Sequence, residues 1–331
     1  MVGFEENEIS SNAHGGTEIT KRTLSKFVPE ELANEFQIIP SRVRDINPEK
    51  IRIYWQHDLA EDPEVSHLKD VNSRNRFHHF VFSSNWQLNE FVTKLGFPQD
   101  KKVSVIETPI ETFNVGKKNF DKGIRLVYFS TPQRGLDLLV PVFEKLAEKH
   151  DNIHLDVFSS FKIYGWDEAD KQFEPLYDKI RSHPKMTYHG FAKQEVLRKH
   201  LEEAHILAYP NIWKETSCRV LMESMSAGLA CVHPNLAALP DTAGGLTTMY
   251  QYHDDPSEHA NIFYRYLDHT IGIVQTEPMQ NYLKFVKTYA DSRFNIMKIG
   301  SQWEGLLEDL RKEYESIESR SVPSKMFVYK T

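Results

Sequence analysis

Two glutamates, Glu215 and Glu223, stand in the stretch WKETSCRVLMESMSAGLACVHPN at residues 213–235. A short apolar run at 206–209 precedes them and reads as a buried strand. Glu215 falls in the loop that follows. Residues 217–227 then read as a helix carrying Glu223, stopped by Gly228, and 229–233 as another strand. The first amides of a helix have no partners within it, and the dipole is positive at that end, so an anion is welcome there. Two carboxylates beside an anion site do not suit a bare phosphate. They suit a ligand with hydroxyls on both sides of a diphosphate, because one carboxylate can accept two hydrogen bonds from a vicinal diol. Taken singly, either glutamate could be an ordinary solvated charge. Glu223, however, sits among Leu221, Met222 and Met225, where a carboxylate needs a partner.

The elements around this stretch alternate. Strands are expected at 124–129, 153–158, 186–189, 206–209 and 229–233, and helices at 136–149, 171–181, 195–204 and 217–227. Strand–helix alternation with short connections implies a parallel sheet covered on both faces. The first half is more fragmentary. Residues 37–39, 51–56, 80–83 and 103–106 read as strands, with helices at 18–27 and 85–95; residues 1–4 are barely long enough for a first strand. The polar segment 111–123 suits a boundary between two α/β domains. From residue 257 the pattern is almost entirely helical. The last helix, 303–317, carries Leu306, Leu307 and Leu310 on one side and needs a surface to bury against.

The whole-chain figures agree. A chain of 331 residues, 40% hydrophobic, has material for two ordinary cores. The net charge of -7 argues against general nucleic-acid binding. Two cysteines, Cys218 and Cys231, make no disulfide framework and suit a reducing compartment. No apolar stretch is long enough to span a bilayer, and MVGFEENEIS lacks the marks of a signal peptide. A cytoplasmic location is expected. Weak peripheral membrane contact is left open, though Lys21, Arg22 and Lys26 are too few to argue for it. No Walker loop and no GxGxxG fingerprint occurs.

The 213–235 stretch resembles the Glu-x7-Glu signature of the GT-B retaining glycosyltransferases of family four (glycosyl transferases group 1). Tyr209-Pro210, the loop, both glutamates and Gly228 follow that pattern. The resemblance implies that Glu215 meets hydroxyls of a donor sugar and Glu223 the ribose of its nucleotide. Thr216, Ser217, Cys218, Arg219 and Val220 would then face the sugar and diphosphate. Ser217-Cys218 stands where the family often has Phe-Gly, which implies a reshaped sugar pocket. YFSTPQRGLDLL, residues 128–139, resembles the family's next phosphate-binding element. Arg134, followed by Gly135, stands where a lysine usually neutralises the leaving diphosphate, and arginine can do this bidentately. Phe129 replaces an arginine the family often has, and Arg219 could stand in for it.

Further segments extend the resemblance. HGGTEITKRTL at 14–24 is similar to the family's first glycine-rich loop, with Gly15, Gly16 and Thr17 toward the donor. His57, ending a strand in IRIYWQHD, stands where a family histidine often contacts the donor sugar; the pair His78-His79 reads as structural. MTYHGF at 186–191 is similar to the turn beside the nucleotide base, which makes Gly190 and Phe191 base contacts. Residues 235–241 resemble the loop that closes the donor site. The expected fold is therefore α/β and GT-B, two Rossmann-like domains facing across a cleft, the N-terminal one reduced. Its domains would be 1–115, completed by a C-terminal helix at about 295–331, and 116–294.

The implied activity is retaining transfer of a sugar from a nucleotide-diphosphate sugar to an unidentified acceptor. Glu215, Arg134 and His57 are the expected catalytic residues. The resemblance implies that no metal is required, with which the lack of an Asp-x-Asp agrees, and no cofactor is expected. Two alternatives stay open: a GT-B nucleotide-sugar epimerase or hydrolase, and a non-catalytic GT-B binding protein.

Overall fold

The structure is a computed structural model that describes residues 28–98 and 102–320. Gly15, Gly16 and Thr17, with the strand and helix expected at 1–4 and 18–27, lie outside the described residues. The chain divides into two compact units. The first holds the described residues up to Thr108 and those from Met297 onward; the second spans Pro109–Ile296.

In the first unit, β1 (Phe36–Pro40), β2 (Ile51–Trp55), β3 (His79–Phe82) and β4 (Val103–Val105) form a parallel sheet in that order among the described residues. The side chains of β1, β2 and β3 are buried throughout. Such runs read as continuous apolar stretches rather than alternating ones. After β3, Ser84 caps helix α1 (Asn85–Leu95) by accepting from the Gln87 amide, and Gly96 ends it in the left-handed conformation.

The second unit runs β5 (Ile124–Phe129), α2 (Leu136–Lys149), β6 (Ile153–Phe158), α3 (Glu174–Ser182), β7 (Met186–Tyr188) and α4 (Gln194–Glu203). It continues through β8 (Ile206–Ala208), α5 (Arg219–Ser226), β9 (Ala230–Pro234), α6 (Leu239–Ala243), β10 (Thr248–Tyr250), α7 (Pro256–Ile273) and α8 (Glu277–Arg293). The strands are all parallel, in the order β10-β9-β8-β5-β6-β7. Counted from β5, this is the dinucleotide-fold order 3-2-1-4-5-6, written from the far edge. The order reverses between β5 and β8. At such a reversal, outside the carboxyl ends of the strands, doubly wound sheets have the crevice in which they bind ligands.

Some boundaries differ from expectation. The helix expected at 217–227 begins at Arg219, which leaves Ser217 and Cys218 in the loop. The one expected at 171–181 begins as 3-10 turns over Asp167–Phe173 and becomes α-helical at Glu174. The expected last helix starts earlier: α9 spans Ile296–Glu313.

Within the first unit, α9 packs Ile299, Trp303, Leu307 and Leu310 against Phe36, Ile38, Ile51, Ile53 and Trp55 of the sheet. Leu306 only borders this core. Trp303 is the centrepiece, 1% exposed, with its ring 5.3 Å from that of Trp55 in an edge-on contact. Trp303→Ala should cost about 3–5 kcal/mol of stability, measured as a lowered urea midpoint of the first unit's transition. A loss below about 1 kcal/mol would show that α9 is dispensable to that core.

Candidate active site

Two loops meet at the crevice of the second unit. The first leaves β5 through Ser130 and Thr131 into a 3-10 turn at Pro132–Arg134, and Gly135 then opens α2. Gly135 has φ 104°, and a Cβ there would lie 2.1 Å from the Pro210 carbonyl oxygen. Only glycine tolerates both the backbone conformation and that approach. The glycine thereby presses this loop against the second one, which leaves β8 at Tyr209-Pro210.

The second loop delivers Glu215. Its carboxylate is 8% exposed and lies 2.5 Å from Arg134 Nη1, while the Tyr209 hydroxyl donates to the same oxygen at 2.8 Å. Arg134 also reaches the Tyr164 hydroxyl at 3.5 Å. Burial alone would lower the Arg134 pKa, but the Glu215 charge outweighs it and holds the guanidinium above its usual value. Burial, reinforced by Glu215, pushes the Tyr209 hydroxyl and the Cys218 thiol up. Cys218 is therefore a neutral thiol and no nucleophile. Arg134 and Glu215 form a charge-neutral buried pair across the point where the strand order reverses.

Beside them α5 begins at Arg219 with no side chain capping its N-terminus, the arrangement that favours an anion. Within α5, Arg219 Nη2 lies 2.7 Å from Glu223 Oε1, and Arg219 Nη1 donates to the Pro109 carbonyl. The Arg219–Glu223 contact is an ion pair without hydrogen-bond geometry, because Glu223 Oε1 has no hydrogen-bond partner among the described residues. The same is true of Arg219 Nε, Arg134 Nε, Gln133 Oε1 and Thr131 Oγ1. Buried polar atoms are ordinarily paired, and each orphan costs about 1–3 kcal/mol. Besides the ion-paired Glu223 Oε1, four such atoms lie on these two segments and are left open to a polar ligand.

The other expected residues are placed as follows. Thr216, Ser217 and Val220 are half-buried on the second loop and the first turn of α5. Gly190 takes the left-handed conformation just after β7, and Phe191 follows it, half-buried. His57 lies in the first unit, two residues past the end of β2. Its ring stands 4.2 Å from that of Trp55, and burial lowers its pKa to about 3, so it is a neutral imidazole. The reading of His78 as structural fits its Nδ1, which accepts from the Arg52 amide.

The roles of two residues had no signal in the sequence. Tyr209 shows its role only once its hydroxyl is seen on Glu215. Asp58, next to His57, has its pKa raised to about 6, first by burial and then by Asp62. An acidic residue after a strand is too common to single out.

Comparison with solved structures fits this architecture. A glycosyltransferase from Rickettsia africae ESF-5 superposes with TM-score 0.65 at 13% identity, covering 93% of this chain and 84% of that one. Sucrose-phosphate synthase from Thermosynechococcus elongatus gives 0.65 at 15%, over 89% and 80%. Anabaena Alr3699/HepE, solved with UDP and glucose, gives 0.60 at 16%, over 89% and 81%. At these identities the likeness is one of fold, and the fold is that of the GT-B glycosyltransferases. Residues 124–269 match the family model of the glycosyl transferases group 1. The second unit thus carries a glycosyltransferase domain of that group. No curated protein matches the sequence.

Proposed function

We propose that the protein is a retaining, metal-independent glycosyltransferase that takes its sugar from a nucleotide-diphosphate sugar and passes it to a hydroxyl-bearing acceptor. The observation that carries this reading is the Arg134–Glu215 pair at the crevice, with orphaned donors and acceptors on either side. A diphosphate satisfies Arg134 and the open start of α5. Sugar hydroxyls satisfy Glu215, and ribose hydroxyls satisfy Glu223 Oε1. Gly190 and Phe191 are the proposed base contacts.

Charge on the bridging oxygen grows as the glycosidic bond to the diphosphate breaks. Arg134 and the first amides of α5 are fixed in place before that happens, so they stabilise the leaving group without reorganisation. Glu215 holds the sugar and partly balances the positive charge spreading over its ring. The departing phosphate takes the acceptor's proton on the same face, which keeps the anomeric configuration. Arg134 and those amides supply the role a divalent ion plays in other glycosyltransferases, and for that reason the reading needs no metal.

Thermal denaturation in the presence of UDP-, GDP- and ADP-sugars tests this. A ligand at tenfold to a hundredfold its dissociation constant adds about 1.4–2.7 kcal/mol, a clear rise in Tm. HepE was solved with UDP and glucose, so the UDP-sugars come first. A flat response to all three classes would overturn the donor reading.

A further inference from the structure

We propose that the second unit holds a binding site for a first-row divalent cation, zinc by preference, formed by Asp156, His189 and His200. The three come from separate elements: β6, the turn after β7, and α4. One ligand-capable atom from each lies within 4.8 Å of the others. His189 Nε2 is 2.8 Å from Asp156 Oδ1. Around zinc, with bonds of about 2.0–2.2 Å, tetrahedral ligand atoms stand roughly 3.3 Å apart. The 2.8 Å contact must open by about 0.5 Å to reach that value, and the 4.8 Å limit on the three atoms leaves room for an ion among them.

The surroundings favour this use. Asp156 is buried, and its other oxygen is held by Arg125 at 2.9 Å and 3.3 Å. That outer contact orients the carboxylate and leaves Oδ1 facing the histidines, the kind of support ligating carboxylates ordinarily have. Phe158 stacks on His189 with centroids 4.2 Å apart and meets His200 edge-on at 5.0 Å, which fixes both rings. His200 Nδ1 is buried with no hydrogen-bond partner among the described residues. Two imidazoles and a carboxylate suit zinc or cobalt, and three protein ligands leave one position for water. The site shares no residue with the Arg134–Glu215 pair, and sugar transfer does not run through it. It ties the turn carrying Gly190 to β6 and α4.

The experiment titrates the full chain, free of any affinity tag, with cobalt(II) near neutral pH. The expected result is visible d–d absorption that saturates at one equivalent and is lost when zinc(II) is added. His200→Phe keeps a ring against Phe158 but removes the ligand, and should abolish the absorption while the circular dichroism is unchanged. His189→Ala provides the second test. No absorption in the native chain at one equivalent, or the same absorption in both variants, overturns the proposal and reduces the three residues to a hydrogen-bonded cluster.

Discussion

Arg134→Ala should lower the rate of sugar transfer about 10²–10³-fold, the loss seen when one preorganised donor to a developing charge is removed. The same change leaves Glu215 buried beside the Tyr209 hydroxyl without its counter-charge. Breaking a buried pair by removing one partner costs about 3–5 kcal/mol. The Arg134 side chain is 20% exposed, so the lower end applies. Activity and stability therefore fall together in the single variant. They separate in Arg134→Ala/Glu215→Gln, where the neutral amide no longer needs a cation. The double variant should regain much of the lost stability and none of the lost activity. Steady-state rates and urea midpoints across the full cycle check this. Recovery of transfer along with stability would mean that neither the Arg134 cation nor the Glu215 carboxylate is needed for transfer.

Stability should fall steeply as pH drops from about 7 toward 5. Burial is the first cause of lowered pKa values at five histidines: His57 and His78 to about 3, and His67, His205 and His233 to about 4. An unfolded chain protonates these rings near 6.5. Between about 3 and 6.5 the unfolded state thus binds more protons, so stability rises with pH. It is fully present above about 6.5 and is lost as pH falls through that window. Two of the rings have a structural reason to resist: His78 and His205 each accept a backbone amide at Nδ1, from Arg52 and Arg125, and a protonated ring cannot. At pH 5 each neutral histidine accounts for up to about 2 kcal/mol. Three lie in the first unit and two in the second, so each unit loses up to about 4–6 kcal/mol, a large share of a domain's stability. Asp58 opposes them. Its folded pKa of about 6 exceeds the unfolded value, so its contribution is present at low pH and lost as pH rises through 6. One carboxyl does not offset five rings. Tm measured from pH 7 to 5 should decline throughout, and a flat profile would falsify this account.

How far these residues could be read beforehand follows from the physics of each. β8 and most of β5 are short apolar runs buried on both faces, as a parallel sheet requires, while β6 was legible from Ile153, Leu155 and Val157 alternating with His154 and Asp156. β10 went unread because Thr248 and Met249 are only half-buried at the sheet edge. α9 was placed late because its first turns contribute little beyond Ile299 to the core, so the apolar spacing becomes regular only from Trp303. Glu215 and Glu223 were legible as a spaced pair within one segment. The contact between Arg134 and Glu215 was not, because these residues are 81 positions apart. Only the strand order, which sets β8 beside β5, brings them together. The Asp156, His189 and His200 cluster was hidden for the same reason, since no local spacing joins β6 to α4.

The packing of α9 also sets an order of events during synthesis. Every strand of the second unit has been made before Trp303 and Leu307 are added to the chain. The first unit's strands are translated before those of the second, yet their shared core lacks those side chains until α9 follows. Because domains fold as units while the chain emerges, the half that is made first is finished last. For most of translation its apolar face stands without α9, so the nascent chain has its greatest need of chaperone cover on the N-terminal side.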